Sequence, residues 1–236
     1  MTREHVIPGF IYAFQKKHTA FSGWSESAGK IISAEQTIKD VCAECNNQKL
    51  GSLDAAAKTV LEGAGILVPN YVKRDITLKF NFSEFFRWLL KVSYNSARCQ
   101  KELVPGFEGL VPFMLDGTNP PGKNQIILFV QLLGSHVLTE EEGPINPFVV
   151  RLCWLKFSRD PGYRVRLNIF GPLAIYIMFV NEGTLAGHVA VHKRRFIKRI
   201  PGAVELKPSV KVLSINQSTV SFFDIWENQL RRQAGW

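Results

Sequence analysis

Two short stretches of this 236-residue chain carry residue types that can do chemistry together. Glu4-His5-Val6-Ile7-Pro8 sets a carboxylate beside an imidazole, and after 33 intervening residues comes Cys42-Ala43-Glu44-Cys45-Asn46-Asn47. A neutral imidazole, with an ordinary pKa of about 6.5, can take a proton from water near neutral pH. Carboxylate and carboxamide oxygens are hard donors that suit magnesium or manganese, and a divalent cation beside such a base would stabilise the departing oxygen of a phosphodiester. The Cys42/Cys45 pair supplies half of a tetrahedral zinc site, or equally two packed thiols.

For these groups to meet, Glu4 and His5 must lie on a strand and the cysteines at the start of a helix. Asp40 to Leu61 contains few breakers besides Gly51, which predicts a helix with Cys42, Cys45, Asn46 and Asn47 at its start and Asp40 as its cap. Ser22 to Gly29 is rich in turn formers and predicts a loop between two short strands.

With those residues in place, the N-terminal region resembles the HNH endonucleases. Their motif pairs Asp/Glu-His-Ile/Val-x-Pro on a strand with Cys-x-x-Cys-His/Asn on the following helix. The resemblance covers about residues 3 to 54 and is closest to the subgroup with Asn after the second cysteine. It implies a ββα-metal module that hydrolyses DNA phosphodiester bonds, with Glu4 and Asn46 holding a magnesium or manganese ion and His5 as general base. Asn47 could share the ligand role, and Cys42 and Cys45 would belong to a structural zinc site. Two departures stand out. The family's other Cys-x-x-Cys pair has no counterpart ahead of Glu4, and its middle Asn aligns with Thr37, which would then be the residue beside the base.

Composition widens the picture to the whole chain. There are 29 Lys plus Arg against 20 Asp plus Glu, a net charge of +9, which favours a polyanionic partner such as DNA. Four cysteines are too few for a disulfide framework and point to a reducing cytoplasm. The most apolar stretch, Ile169 to Val180, is only 12 residues long and too short to cross a bilayer, so no membrane partner is expected. The sequence shows no complete phosphate-binding Gly-x-x-x-x-Gly-Lys-Ser/Thr loop, since Gly117 to Lys123 is followed by Asn124 in place of the hydroxyl residue, and it shows no Gly-x-Ser-x-Gly elbow and no Gly-x-Gly-x-x-Gly fingerprint. Nothing in it sets an oligomeric state.

Three segments follow from the charge distribution: a neutral module over 1–62, a linker with an amphipathic helix over 63–105, and a basic, strand-rich region over 106–236. Phe82 to Val92 places Phe85, Phe86, Leu89, Leu90 and Val92 on one helical face, with Glu84, Arg87 and Lys91 on another. Runs at Ile126–Leu133, Phe148–Phe157, Tyr163–Phe170, Ile175–Val180 and His188–Ile197 predict strands of a mainly antiparallel sheet. Alternation from Tyr163 to Ile169 predicts one buried and one solvated face. The expected fold class is therefore α+β.

Lys193, Arg194, Arg195, Lys198 and Arg199 concentrate positive charge and are candidate phosphate contacts, or else the charged face of an edge strand. The functional expectations are a metal-dependent DNA endonuclease or a noncatalytic nucleic-acid-binding protein on a degenerate HNH scaffold. A protein-interaction module stands third.

Overall fold

The computed structural model describes residues 1–18, 23–25, 30–32, 35–99, 106–137, 143–155, 157, 162–225 and 227. The chain is α+β, with a mainly antiparallel sheet at its centre. It opens with strand β1 (Thr2–His5), helix α1 (Gly9–His18) and the hairpin β2 (Gly23–Ser25) and β3 (Lys30–Ile32). Strand β4 (Thr37–Val41) then returns antiparallel to β1. Gly23–Ser25 is thus strand where loop was expected; residues 22 and 26–29 of that loop lie outside the described part.

A π-helical stretch, Cys45–Leu50, runs directly into α2 (Gly51–Gly63). Asp40 does not cap it. That residue belongs to β4 and its carboxylate pairs with Arg98. Strand β5 (Asp75–Lys79) follows, and Asn81 Oδ1 then accepts the Glu84 N–H at 3.3 Å, satisfying a free donor in the first turn of α3 (Phe82–Cys99). A 3-10 turn, Glu108–Leu110, leads to α4 (Val111–Asp116).

The remaining elements are mostly strands: β6 (Ile126–Gly134), the short pair β7 (His136–Val137) and β8 (Pro144–Ile145), β9 (Val150–Trp154), β10 (Tyr163–Phe170) and β11 (Leu173–Val180). Helix α5 (Ala186–Arg199), β12 (Val204–Leu206) and β13 (Val212–Ser221) follow. The main sheet has the order β5-β13-β6-β11-β10-β9. Its junctions are antiparallel except for β13 beside β6, and β12 shares that edge of β6 with β13. Gly171 makes the β10–β11 turn at φ +57, where a side chain would be strained.

Both faces of this sheet are buried, and the two-residue period of the strands sorts their side chains into two cores. Leu128, Val130 and Leu132 of β6, with Leu173, Ile175 and Ile177 of β11, join the core shared with α1, α2, α3 and α4. Ile127, Phe129 and Leu133, with Ala174, Tyr176 and Met178, join the core under α5. Phe196 anchors that helix, 5.0 Å from the Phe129 ring centre and 5.4 Å from that of Tyr176.

Double burial overturns two expectations. Two of the three polar positions of β10 are not solvated: Arg166 and Asn168 are fully buried because α3 covers them, with Ser96 Oγ 2.8 Å from Arg166 Nη2 and Ser93 Oγ 2.8 Å from Asn168 Nδ2, while Arg164 is exposed. Residues His188–Ile197 form a helix rather than a strand. Its buried residues Val189 and Phe196 lie seven apart, two helical turns on one face.

Candidate functional site

On β1, alternation sends neighbouring side chains to opposite faces. Glu4 points inward and is 5% exposed, whereas the His5 side chain is 40% exposed. Pairing with β4 sets Glu4 opposite Ile38 and His5 opposite Thr37. The helix that follows is tied back onto β1 by Asn46, whose Nδ2 donates to Thr2 Oγ1 at 3.0 Å and to the Arg3 carbonyl at 2.9 Å. Glu4, His5, Thr37 and Asn46 therefore lie on one strand pair and its adjoining helix, while Asn47 is exposed.

The outward face carries an imidazole–carboxylate pair. His5 Nε2 lies 2.9 Å from Glu35 Oε2, and Lys16 Nζ lies 2.5 Å from the other oxygen of Glu35. The Lys16 hydrogen bond, helped by that from His5, holds the Glu35 carboxyl below the usual carboxylate range. Such an arrangement holds the imidazole in place through its Nε2.

Inward, Glu4 meets a buried cation. Lys91 Nζ lies 2.5 Å from Glu4 Oε1 and 2.8 Å from each carboxylate oxygen of Asp54 on α2. Trp88 Nε1 adds a donor to Asp54 at 3.1 Å. Lys91, which the sequence sets on a different face of α3 from the apolar residues, is 2% exposed: α2 and β1 cover it and supply two carboxylates for one ammonium. Burial raises the Glu4 carboxyl above its ordinary value, and the Lys91 charge opposes that rise.

The residues that the resemblance assigns to a divalent cation do not fit one as placed. Glu4 is buried and its charge is taken up by Lys91, on the face of β1 away from His5, while the Asn46 amide is engaged with the strand. Among the described residues, no group of three or more His, Cys, Asp and Glu side chains gathers as a metal site. Cys42 and Cys45 do adjoin: Cys42 Sγ accepts the Cys45 N–H at 3.2 Å. The thiol–thiol hydrogen bond lowers the Cys42 pKa and raises that of Cys45. Cys99 and Cys153 form no disulfide among the described residues, and Cys153 is buried.

The basic cluster lies on α5. Arg194, Arg195, Lys198 and Arg199 are exposed, Arg194 and Lys198 opposite the buried Val189 and Phe196 and Arg195 and Arg199 beside that stripe, and the helix contains no acidic residue. Lys193 differs from its expected role, being half-buried with its Nζ 2.6 Å from Glu205 Oε1.

Three participants were missed from sequence: Glu35, Asp54 and Lys91. Asp54 lies about two helical turns beyond Asn46, a spacing that signals a shared face. Glu35 and Lys91 enter through the strand return and the covering of α3, which leave no local pattern. Among known proteins, no family model, no curated protein and no solved structure matches the chain. No helix among the described residues is long and apolar enough to cross a membrane.

Proposed function

We propose that the chain is a nucleic-acid-binding protein that keeps an HNH-like frame without metal-dependent cleavage. The observation that carries this reading is the Glu4 carboxylate, buried and held at 2.5 Å by Lys91. A carboxylate committed to a buried ammonium is withdrawn from a cation at the surface. The exposed cations of α5 supply the phosphate contacts, and each phosphate neutralised on duplex DNA contributes about −0.9 to the slope of log affinity against log salt. Four such contacts, from Arg194, Arg195, Lys198 and Arg199, give a slope of about −3.6.

The pairing of His5 with Glu35 favours a second reading, the metal-dependent DNA endonuclease, because a carboxylate that orients an imidazole is the usual support of a general base. In that reading Glu4 exchanges Lys91 for the cation. A plasmid assay with magnesium, manganese or EDTA, run beside duplex binding over a salt series and beside His5→Ala, separates the two. Steeply salt-dependent binding with intact plasmid in every metal is expected; nicking that needs the metal and disappears in His5→Ala overturns the first reading in favour of the second. Binding that is absent at low salt overturns both.

A further inference from the structure

Strand β5 forms one end of the main sheet, and its outer side pairs with no strand among the described residues. The register with β13 fixes which backbone groups face outward. Gln217 N–H donates to the Arg74 carbonyl at 2.7 Å, and Phe80 N–H donates to the Lys211 carbonyl at 3.0 Å, so Arg74 and Phe80 turn their polar groups toward β13. Antiparallel strands alternate hydrogen-bonded with non-hydrogen-bonded pairs. Ile76 and Leu78 therefore also face β13, and Asp75, Thr77 and Lys79 turn their N–H and C=O groups outward. The Asp75 carbonyl accepts the Tyr71 hydroxyl at 2.8 Å and keeps a second lone pair. The other outward groups have no hydrogen-bond partner among the described residues.

The side chains of the same three residues lie on the exposed face of β5, while Ile76 and Leu78 join the core. Asp75 and Lys79 carry opposite charges, placed symmetrically about Thr77, and neither has an ion-pair partner among the described residues. Charges on an edge strand ordinarily discourage pairing. Here they discourage most registers and match one.

We propose that the chain pairs with a second copy of itself along β5, antiparallel and centred on Thr77. Thr77 then lies opposite the second copy's Thr77, Asp75 opposite its Lys79 and Lys79 opposite its Asp75. All three present outward N–H and C=O groups, so each meeting is a hydrogen-bonded pair, and the contact closes with two-fold symmetry. Directly opposed side chains share a face, which brings both ion pairs together on the solvated side. A shift of two residues in either direction separates both ion pairs, and meeting Asp75 with Asp75 or Lys79 with Lys79 sets like charges together. Charge thus specifies the register. Five residues on each side make a small contact, which places the dimer among weak, transient associations. This surface does not rest on the nucleic-acid reading.

The test is sedimentation velocity on the full chain without DNA, at low salt and over about 1–200 µM, where a monomer–dimer equilibrium is expected. Lys79→Asp sets acid against acid in both outer pairs, and Asp75→Lys sets base against base. Each should raise the dimer dissociation constant by at least about tenfold. An equimolar mixture of the two variants should recover the dimer, because each then finds opposite charges on the other, and the chain carrying both substitutions should pair like the wild type. A wild type that stays monomeric over the whole range overturns the proposal, and so does a dimer that both single variants leave unchanged. Loss in both variants without recovery in the mixture overturns the register. Should either charge variant fail to fold, Thr77→Pro removes the central outward N–H at an edge position where proline is tolerated, and it should abolish the dimer with the circular dichroism unchanged.

Discussion

Replacing Lys91 by Met keeps the length of the side chain and removes its charge from between Glu4 and Asp54. In the wild type the ammonium is 2.5 Å from one carboxylate and 2.8 Å from both oxygens of the other, with Lys91 2% exposed. Removing one partner of a buried ion pair destabilises by about 3–5 kcal/mol, because the remaining charge stays desolvated. For a chain of this size each kcal/mol lowers the melting temperature by about 2–4 °C, so a fall of roughly 6–20 °C is expected in thermal unfolding followed by circular dichroism. The penalty has a pH signature. Glu4 already has a folded pKa above its ordinary 4.5, so its contribution to stability is fully present below that value and declines as pH rises through the folded pKa. Loss of Lys91 pushes the folded pKa higher still and extends the decline toward neutrality. Lys91→Met should therefore be more destabilising at pH 7.5 than at pH 5, and adding Glu4→Gln should recover part of the loss and flatten the pH dependence. A fall of less than about 2 °C, or a penalty equal at both pH values, refutes the assignment of Lys91 as the counter-charge of two buried carboxylates.

Arg194→Gln, Arg195→Gln and Lys198→Gln combined should make the salt slope of DNA binding shallower by up to about 2.7, leaving the melting temperature nearly unchanged. An unaltered slope removes α5 from the interface. Gly171→Ala should destabilise by roughly 2–5 kcal/mol in urea unfolding, since φ is +57 and the new Cβ would stand 2.7 Å from Phe148 Cδ2. Tyr176 donates to Gln131 Oε1 at 2.7 Å in a fully buried network that also holds Ser218; Tyr176→Phe leaves that acceptor unmet, and a loss of about 1–3 kcal/mol is expected in the same unfolding experiment.

Four strands of the sheet, β6, β9, β10 and β11, were legible because unbroken apolar and aromatic runs are what burial on both faces demands, and Tyr163–Phe170 matches its predicted span, whereas β5, β12 and β13 carry no such run and were not read from the sequence. The orientation of β10 was not legible. Arg164, Arg166 and Asn168 alternate with apolar residues as on a half-solvated strand, yet only the first is exposed, because Ser93 and Ser96 of α3 provide polar partners inside. Lys91 was misjudged for a related reason. Helical periodicity separates charged from apolar positions, but it does not reveal that α2 and β1 enclose the charged side. At α5, β-branched and aromatic content outweighed the seven-residue spacing of Val189 and Phe196, which is the helical signal. Among the candidate site residues, the adjacency of Cys42 and Cys45 and the strand position of His5 follow from local spacing. The Glu35 partnership depends on where a chain return ends, which spacing alone does not encode.

The position of β13 bears on how the chain reaches this fold in a cell. It is hydrogen-bonded to β5 on one side and β6 on the other, so that Thr77 meets Ser214 from 137 residues away. At about 5–20 residues per second on the ribosome, β5 waits on the order of ten seconds for its neighbour β13 in the sheet, while the apolar β6 carries an open edge. Closure of the sheet is thereby a late event in synthesis. Until then, the exposed strand edges are a template for unintended pairing, and their protection falls to chaperones or to rapid docking of α3 and α4 over one face of the sheet.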